Sequence, residues 1–455
     1  MSTDTLITPQ IPPAASFRKS KEVWGWAIYD FANTIFSMNI LTLYFAAWVI
    51  VDNGWEDIWY SIAFSGSMLL VALTVPILGG ISDGAGSKKR FLAIFTFGCV
   101  LATAIIGVIS QLDFLSDFWK VALALIAFGV ANYGFEGGLV FYNALLPQVS
   151  HHRNMGKISG LGVSLGYVGA IVGMFLVLPF VKGNITIFGS GKPSAFIPTA
   201  LLFLLFSIPT FLWVRRDRPH PEGEVRPGKV LRNLWKDLAD TKKYPGVLRF
   251  LISDFMFEDA IATIIIFMAV YTQQVMGFNE AEKTYLFAVS TTSAAIGSLI
   301  SGWVTDRIGP KLTLSLTVWG WILCLIVAAF TFDKQLFWIL GSLLGIFLGS
   351  TWTSSRPLMA SLVPAHKMGQ FFGLFSLSGR AAAIIGPIIW GLVVLYCKAD
   401  SAVVNKLLGV ISASGLRVSP HTTGTIQYRL AILALAVVMI VGWLIFRKVP
   451  DRHRS

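Results

Sequence analysis

Charged residues are scarce in this sequence. Asp, Glu, Lys and Arg make up 13% of its 455 residues, whereas soluble domains average about 25%. Hydrophobic residues make up 55%, and they fall in long runs with no linkers between them. The composition therefore argues against an ordinary soluble protein and predicts an all-α integral membrane protein.

Cysteines and catalytic motifs are also scarce. Of the three cysteines, Cys99 and Cys324 lie inside apolar runs and Cys397 lies at the end of one, a placement that implies no disulfide framework. The sequence contains no Gly-rich phosphate loop followed by Lys-Ser/Thr and no HExxH motif. The pair His151 and His152 is only a weak metal candidate. We therefore expect no cofactor, no resident metal and no enzymatic activity.

The net charge of +12 does not indicate nucleic-acid binding, because the basic residues lie in short segments between the apolar runs. They concentrate in the connections on the side of both termini, as at Lys88, Lys89 and Arg90. The positive-inside rule places that side in the cytoplasm. The sequence therefore predicts a multi-pass protein of a bacterial inner membrane, with both termini cytoplasmic and no nucleic-acid partner.

About 20 mostly apolar residues cross a bilayer as a helix, and this rule predicts twelve spans. They divide the chain into two six-helix bundles joined by a cytoplasmic linker that contains an amphipathic helix. The predicted spans are 24–51, 57–80, 91–111, 119–146, 156–181, 194–214, 247–275, 283–303, 312–331, 335–362, 369–396 and 426–446. The predicted domains are a disordered tail (1–22), the N-terminal bundle (23–215), the linker (216–246), the C-terminal bundle (247–447) and a second tail (448–455).

The two halves carry matching turns. "GGISDGAGSKKR" follows the second span and "GWVTDRIGPK" follows the eighth, with Asp83 and Asp306 at equivalent positions. The turns after the fourth and tenth spans also match. This pattern indicates a duplicated six-helix unit, the parallel repeat of major facilitator transporters.

The Asp83 and Asp306 turns resemble the cytoplasmic loop motif of the major facilitator superfamily, although Gly84 stands where a basic residue usually follows the Asp. Four longer segments resemble one branch of it, the autophagy-related vacuolar effluxer-like family and its bacterial relatives. These segments are "WAIYDFANTIF", "YNALLPQV", "FLISDFMFEDAIATII" and "FFGLFSLSGRAAAIIGPIIWG". The resemblance implies the major facilitator fold, with spans 1, 4, 7 and 10 lining a central cavity. Amino-acid export from the vacuole is the activity attached to the fungal relatives.

Polar residues inside the predicted spans fall largely on those four spans. A charged side chain at the centre of a lipid-spanning helix costs about 2.5–3.5 kcal/mol by insertion scales, so such residues face a partner or a wet cavity. We therefore expect these side chains to form a substrate-binding and coupling group. Its members are Asp30 and Asn33 on span 1, Glu136 and Asn143 on span 4, Asp254, Glu258 and Asp259 on span 7, Arg356 on span 10 and Arg380 on span 11.

Each of these charges also has a structural explanation. Asp30 can anchor a neighbouring helix, Asp254 can pair with Arg249, and Arg380 can brace the helix bundle. The adjacent carboxylates of Glu258 and Asp259 repel each other when both are charged, which makes one of them a candidate proton carrier. Arg356 keeps its charge and requires an anion, from either the protein or the substrate.

A second set of residues is predicted to control conformation. Asp83, Asp306 and Arg307 lie at cytoplasmic turns, where an acidic side chain can cap a helix or hold one repeat against a basic neighbour. Gly386 and Pro387 lie in span 11, where Pro387 removes a helical hydrogen bond and permits a kink. Static close packing is the alternative explanation for the two span-11 residues.

Together these features predict a secondary transporter that exports amino acids or similar small zwitterions coupled to protons, as a monomer in a lipid bilayer. A zwitterion requires both signs of charge, with Arg356 facing its carboxylate and Asp30, Glu136 or Glu258 facing its ammonium. A different substrate (an organic cation, a metal chelate or an amphiphilic drug) is one alternative, and a non-transporting receptor or scaffold is another.

Overall fold

The computed structural model describes residues 21–451 except 86, 150–154, 216–240, 242–243, 245, 364–367, 399–400, 402–403, 405 and 407–419. The described residues are almost entirely helical and contain no strand. The predicted amphipathic helix of the linker and most of the predicted tail at 1–22 lie outside the described residues.

Thirteen helices, numbered here in chain order, account for most of the described chain. The bounds are α1 Lys21–Asp52, α2 Asp57–Ala85, α3 Lys88–Ile109, α4 Asp117–Val149, α5 Met155–Val181, α6 Phe196–Trp213, α7 Val247–Met276, α8 Glu280–Ile308, α9 Pro310–Phe330, α10 Lys334–Leu362, α11 Met368–Ala382, α12 Ile385–Tyr396 and α13 Pro420–Phe446.

Ten of these helices, within the described part of the chain, are long and apolar enough to cross a membrane. The other two predicted spans correspond to α7, which carries several charged residues, and to the pair α11 and α12. Span 11, predicted over 369–396 with a kink permitted at Pro387, is divided into these two helices. It breaks at Ala383 and Ile384, just before Pro387, whose missing N–H leaves a carbonyl of the preceding turn without its helical donor.

The helices pack as two bundles. In the N-terminal half α1 packs on α5 and α6, and α3 packs on α4; in the C-terminal half α8 packs on α10, and α7 packs on α13. Contacts between the halves run mainly along α2 with α12 and along α5 with α8. We call the end of the bundle where Lys21 and Phe446 lie the terminal face, and the other end the opposite face.

Helix α1 departs from α-helical geometry in its second half. It winds as a π-helix over Ser37–Tyr44 and again over Trp48–Asp52. Wider turns of this kind are rare and occur frequently at functional sites. The first π-helical segment contributes side chains to the cavity described below.

Glycines set the close approach of α8 and α10. A Cβ atom added at Gly345 of α10 would lie only 2.9 Å from the carbonyl carbon of Ser290 on α8. Small residues allow membrane helices to pack backbone against backbone, where dispersion contacts are numerous. The contact therefore depends on the missing side chain.

We expect Gly345→Ala to lower stability by about 1–3 kcal/mol, the usual cost of overpacking. Gly302→Ala on α8 is the matched control, because its Cβ would meet only Thr353 Cγ2 at 3.8 Å. Thermal unfolding of the purified variants in detergent measures the difference. Equal melting temperatures for the two variants would contradict this account of the contact.

Candidate functional site

A cavity of about 220 Å³ lies between the two bundles. The N-terminal half contributes Thr34, Ser37 and Thr42 of α1 and Tyr167 of α5, while the C-terminal half contributes residues that include Met268 of α7 and Trp352 of α10. Its wall is mostly apolar, with scattered hydroxyl groups. A cavity shared by both halves is the place where a rocking motion of the bundles would alternate access.

Charged side chains lie next to the cavity on the side of the terminal face. Asp30 is one helical turn from Thr34, and Arg356 is one helical turn from Trp352. Trp352 connects the cavity wall to the charged residues, because its indole Nε1 donates to Glu258 Oε2 at 3.3 Å. Although Trp352 and Arg356 lie on a predicted membrane span, both are exposed, which is consistent with a passage that opens toward the terminal face.

Tyr167 connects the charges of the two halves. Its hydroxyl lies beside Ser298 of α8, and it is within electrostatic range of both Asp30 and Arg356. Glu258 in turn interacts with the charge of Arg356. Asp30 and Arg356 therefore both lie near Tyr167, and Glu258 lies near Arg356. We call Asp30, Tyr167, Glu258 and Arg356 the charged group.

Asp30 is accommodated by its neighbours on α1 and α5. Asn33 Nδ2 donates to Asp30 Oδ1 at 3.4 Å. On α5, a Cβ atom at Gly166 would lie 3.5 Å from Asp30 Cγ, so the absence of a side chain there leaves room for the carboxylate. Asn33 thus orients Asp30 within its own helix and is itself buried.

Asp254 lies one turn from Glu258 on α7 and is only 1% exposed. Neither of its carboxylate oxygens has a hydrogen-bond partner. The pairing with Arg249 considered from the sequence is not observed, because the Arg249 guanidinium donates to the Lys448 carbonyl oxygen instead. A buried carboxyl group without a partner requires an explanation, and a bound proton is one.

Asp259 has a different environment from Glu258. Its Oδ1 accepts from the backbone N–H of Gly386 at 2.6 Å, at the start of α12. A Cβ atom at Gly386 would lie 2.7 Å from the Asp259 carbonyl oxygen, so α7 and α12 are in close contact here. Asp259 therefore caps the helix that begins after the break in span 11, with the buried Pro387 in its first turn.

The span-4 residues divide among several environments. Asn132 is buried and donates from Nδ2 to Ser67 Oγ on α2 at 2.7 Å, so it joins two helices of one bundle. Glu136 is half-buried and Asn143 is exposed. Their predicted part in substrate binding stays a prediction.

The structure describes the side chains of only some of the residues predicted to control conformation. Asp306 is exposed, and the Arg307 guanidinium lies 3.6 Å from the centre of the Trp303 ring. The side chains of Asp83 and Arg380 lie outside the described residues, as do His151 and His152. The predicted latch at the two matching turns therefore stays a prediction.

The sequence did not indicate the contacts that close the opposite face. On one side, Lys192 Nζ lies 2.5 Å from Asp52 Oδ1 in its own half and 3.3 Å from Glu280 Oε1 in the other half. The buried Lys283 also contacts Glu280, at 2.8 Å. These residues form one bridge across the α5–α8 boundary.

A second bridge crosses the boundary of α2 with span 11. Lys398 Nζ lies 2.5 Å from Glu56 Oε1, and Trp390 Nε1 donates to the buried Asp57 Oδ1 at 2.9 Å. The Trp390 ring also stacks on Phe267, with centroids 4.9 Å apart. The sequence does place opposite charges at the ends of these spans. Charges at span ends usually mark only the membrane boundary, so they did not predict these contacts.

The helices, the duplicated bundles and the cavity between them define a transporter of the major facilitator type. A family model described as "Vacuole effluxer Atg22 like" matches residues 59–419, and the chain belongs to this family. The resemblance drawn from the sequence is therefore confirmed, as is the major facilitator fold.

Curated relatives and solved structures agree with this assignment. An uncharacterised MFS-type transporter, YxiO of Bacillus subtilis (strain 168), is 28% identical over 433 residues, covering 90% of this chain and 97% of the relative. Autophagy-related protein 22 of Kluyveromyces lactis is 27% identical over 365 residues, covering 72% of each chain. Among solved structures, a bacterial homolog of the human lysosomal transporter Spinster, inward-facing and unoccupied, is similar with a TM-score of 0.68 at 13% identity, covering 94% of this chain and 96% of that one. The nucleoside transporter NupG is similar with a TM-score of 0.65 at 15% identity, covering 94% and 98%.

We expect Trp390→Phe to weaken closure of the opposite face. The substitution keeps the ring stacked on Phe267 but removes the indole donor from the buried Asp57 carboxylate, which also accepts from the Tyr428 hydroxyl. The loss of this one hydrogen bond costs about 1 kcal/mol. The matched control is Trp443→Phe, which removes a similar indole hydrogen bond, to Ser315 Oγ at 2.9 Å, within a single bundle.

The readout is thiol labelling of Ser61→Cys, a buried α2 position next to this boundary, in a chain that has Cys397 replaced by Ser. Trp390→Phe should raise the labelling rate from the opposite face about fivefold or more, in proportion to the free-energy cost above, and Trp443→Phe should leave it unchanged. Equal rates in both variants would show that Trp390 does not hold the boundary closed.

Proposed function

We propose that this protein is a secondary active transporter that exports amino acids or similar small zwitterions by alternating access, coupled to protons. The observation that carries the proposal is the charged group, which places acidic and basic side chains from both bundles beside one cavity. A zwitterion can be held by such a group because its carboxylate and its ammonium each require an opposite charge.

The substrate carboxylate is assigned to Arg356. Its guanidinium is always charged and can bind a carboxylate through two parallel N–H···O bonds. Arg356 is exposed beside the cavity, and Trp352 holds Glu258 close to it. The ammonium is assigned to Asp30 in the other bundle, so that a bound substrate contacts both halves.

Proton coupling is assigned to α7. Asp254 has both carboxylate oxygens buried without a hydrogen bond, and Glu258 lies one turn away beside Arg356. A bound proton would neutralise the buried Asp254 carboxylate, which no hydrogen bond stabilises. The negative charge of Glu258 is close enough to influence the release of that proton. Coupling would follow because substrate and Glu258 both interact with Arg356.

The orientation we propose places the terminal face in the cytoplasm of a bacterial cell. The excess of Lys and Arg in the connections on that face supports it. The bridges at the opposite face then close the cavity from outside. In this orientation the described conformation is one that can load a substrate from the cytoplasm.

Counterflow of labelled amino acids into proteoliposomes, with and without a pH gradient, tests the function directly. We expect exchange by the wild-type protein and accumulation that depends on the gradient. A failure of exchange across amino acids, peptides and organic cations would instead favour a receptor or scaffold.

For Arg356→Gln we expect a loss of apparent affinity of about tenfold or more for the zwitterion, since a charge-assisted hydrogen bond contributes about 1.5–3 kcal/mol. Competition by the corresponding amine that lacks the carboxylate should change little. Arg447→Gln, at an exposed position near the terminal face, is the control with the same loss of charge. An equal loss of affinity for both ligands would rule out pairing of Arg356 with the carboxylate.

For Asp254→Asn we expect counterflow to persist while accumulation driven by the pH gradient is lost. Asn is neutral and nearly isosteric, so it reproduces a protonated Asp254 but cannot release the proton. Asp113→Asn, in an exposed loop, is the control. Gradient-driven accumulation that survives Asp254→Asn would exclude this residue as the proton carrier.

A further inference from the structure

A second cavity lies on the flank of the N-terminal bundle, away from the charged group. It is a groove of about 710 Å³ between α2 and α4, and it is almost wholly apolar. Its lining includes Trp55, Trp59 and Gly66 on the α2 side and Phe118 and Gly129 on the α4 side. The groove belongs to a single bundle, so the transport cycle proposed above does not require it.

Two glycines open this groove. A Cβ atom at Gly66 would meet nothing within 4 Å, and one at Gly129 would meet only the Ala63 carbonyl oxygen, at 3.8 Å. A glycine inside a helix costs about 1 kcal/mol relative to alanine. Elsewhere in α4 that cost has a packing reason, because a Cβ at Gly134 would collide with α3. Among the described residues, Gly66 and Gly129 have no such packing reason.

The rim of the groove is continuous with the lipid-facing surface. Ile62 and Leu70 of α2 and Ile126 and Val130 of α4 are all more than half exposed, on helices apolar enough to cross the membrane. Apolar side chains exposed at this depth contact acyl chains. The groove extends that contact inward between the two helices and follows their long axes.

Aromatic residues close the groove at the opposite face. The Trp55 and Phe118 rings lie 5.3 Å apart, where α2 and α4 begin. Tryptophan is enriched at the level of lipid headgroups, so the aromatic end lies at the membrane surface while the rest lies at the depth of the hydrocarbon. A molecule with a headgroup at the surface and a chain in the hydrocarbon matches this arrangement.

We propose that this groove binds one acyl chain of a membrane phospholipid from the leaflet at the opposite face. The chain fills the space that Gly66 and Gly129 leave open. The same helix α2 presents Asp57 and Ser61 to span 11, since a Cβ at Gly391 would lie 2.8 Å from Ser61 Oγ. The bound chain thus contacts a helix that also forms the boundary between the halves.

The test uses the full-length protein in nanodiscs that contain phosphatidylcholine with a photoactivatable diazirine on one acyl chain. After irradiation, cross-linked peptides are mapped by mass spectrometry. We expect cross-links to concentrate on residues 59–70 and 122–133, above the level on other lipid-facing helices.

The groove-filling variant Gly66→Leu/Gly129→Leu should lower that labelling about tenfold, since each displaced methylene group contributes about fourfold to binding. Gly98→Leu is the control, because its Cβ also meets nothing within 4 Å but it lies on α3, outside the groove lining. The single variant Gly66→Leu should give an intermediate loss if the double variant does not fold. Uniform labelling of all lipid-facing helices, labelling unchanged by the leucines, or cross-links from a second copy of the chain would each overturn the proposal.

Discussion

Hydrocarbon offers no partner to a charge, and the arrangement of this protein depends on that constraint. Asp30, Glu258 and Arg356 lie on three helices from two bundles, yet Asp30 and Arg356 both lie near Tyr167 and Glu258 lies near Arg356. Charges inside a membrane are tolerated where another charge, a hydrogen-bond donor or a wet cavity faces them. The charged group contains both signs of charge. This mixture supports the proposed zwitterion site and also explains how the helices tolerate charged side chains.

The same constraint explains the closed face. The described conformation joins the halves at the opposite face through Lys192 with Glu280, Glu56 with Lys398, and Asp57 with Trp390. Glu56 and Lys398 are both well exposed, so water can replace either partner at small cost, whereas Lys192 is buried in its pair with Glu280. The third is buried, so its separation requires another partner for Asp57. Contacts of both kinds suit the alternating access proposed above, in which this boundary closes firmly and can open.

Span 11 shows how a side chain from another helix can satisfy a backbone amide where a membrane helix breaks. Pro387 lacks the backbone N–H that a helix uses as a donor. The backbone N–H of Gly386, at the start of α12, donates to the Asp259 carboxylate on α7. The carboxylate thus occupies the usual place of an N-cap residue, although it comes from another helix. Neighbouring acidic residues on α7 therefore have separate parts, with Glu258 beside the cavity and Asp259 supporting span 11.

The sequence by itself determined the helical membrane fold and located the ten helices of the described chain that are long and apolar enough to span a membrane, because apolar length is a local property. It also indicated Asp30, Glu258 and Arg356, since a charge in an apolar run is visible without a structure, but it did not indicate Tyr167. Only the tertiary structure decided the partner of each carboxylate: Trp352 for Glu258, the Gly386 amide for Asp259, and Trp390 for Asp57. These pairs are separated by 94, 127 and 333 residues in the chain, so no periodicity within one helix can reveal them. The groove between α2 and α4 also required the structure, because a glycine in close contact and a glycine beside open space are identical in sequence.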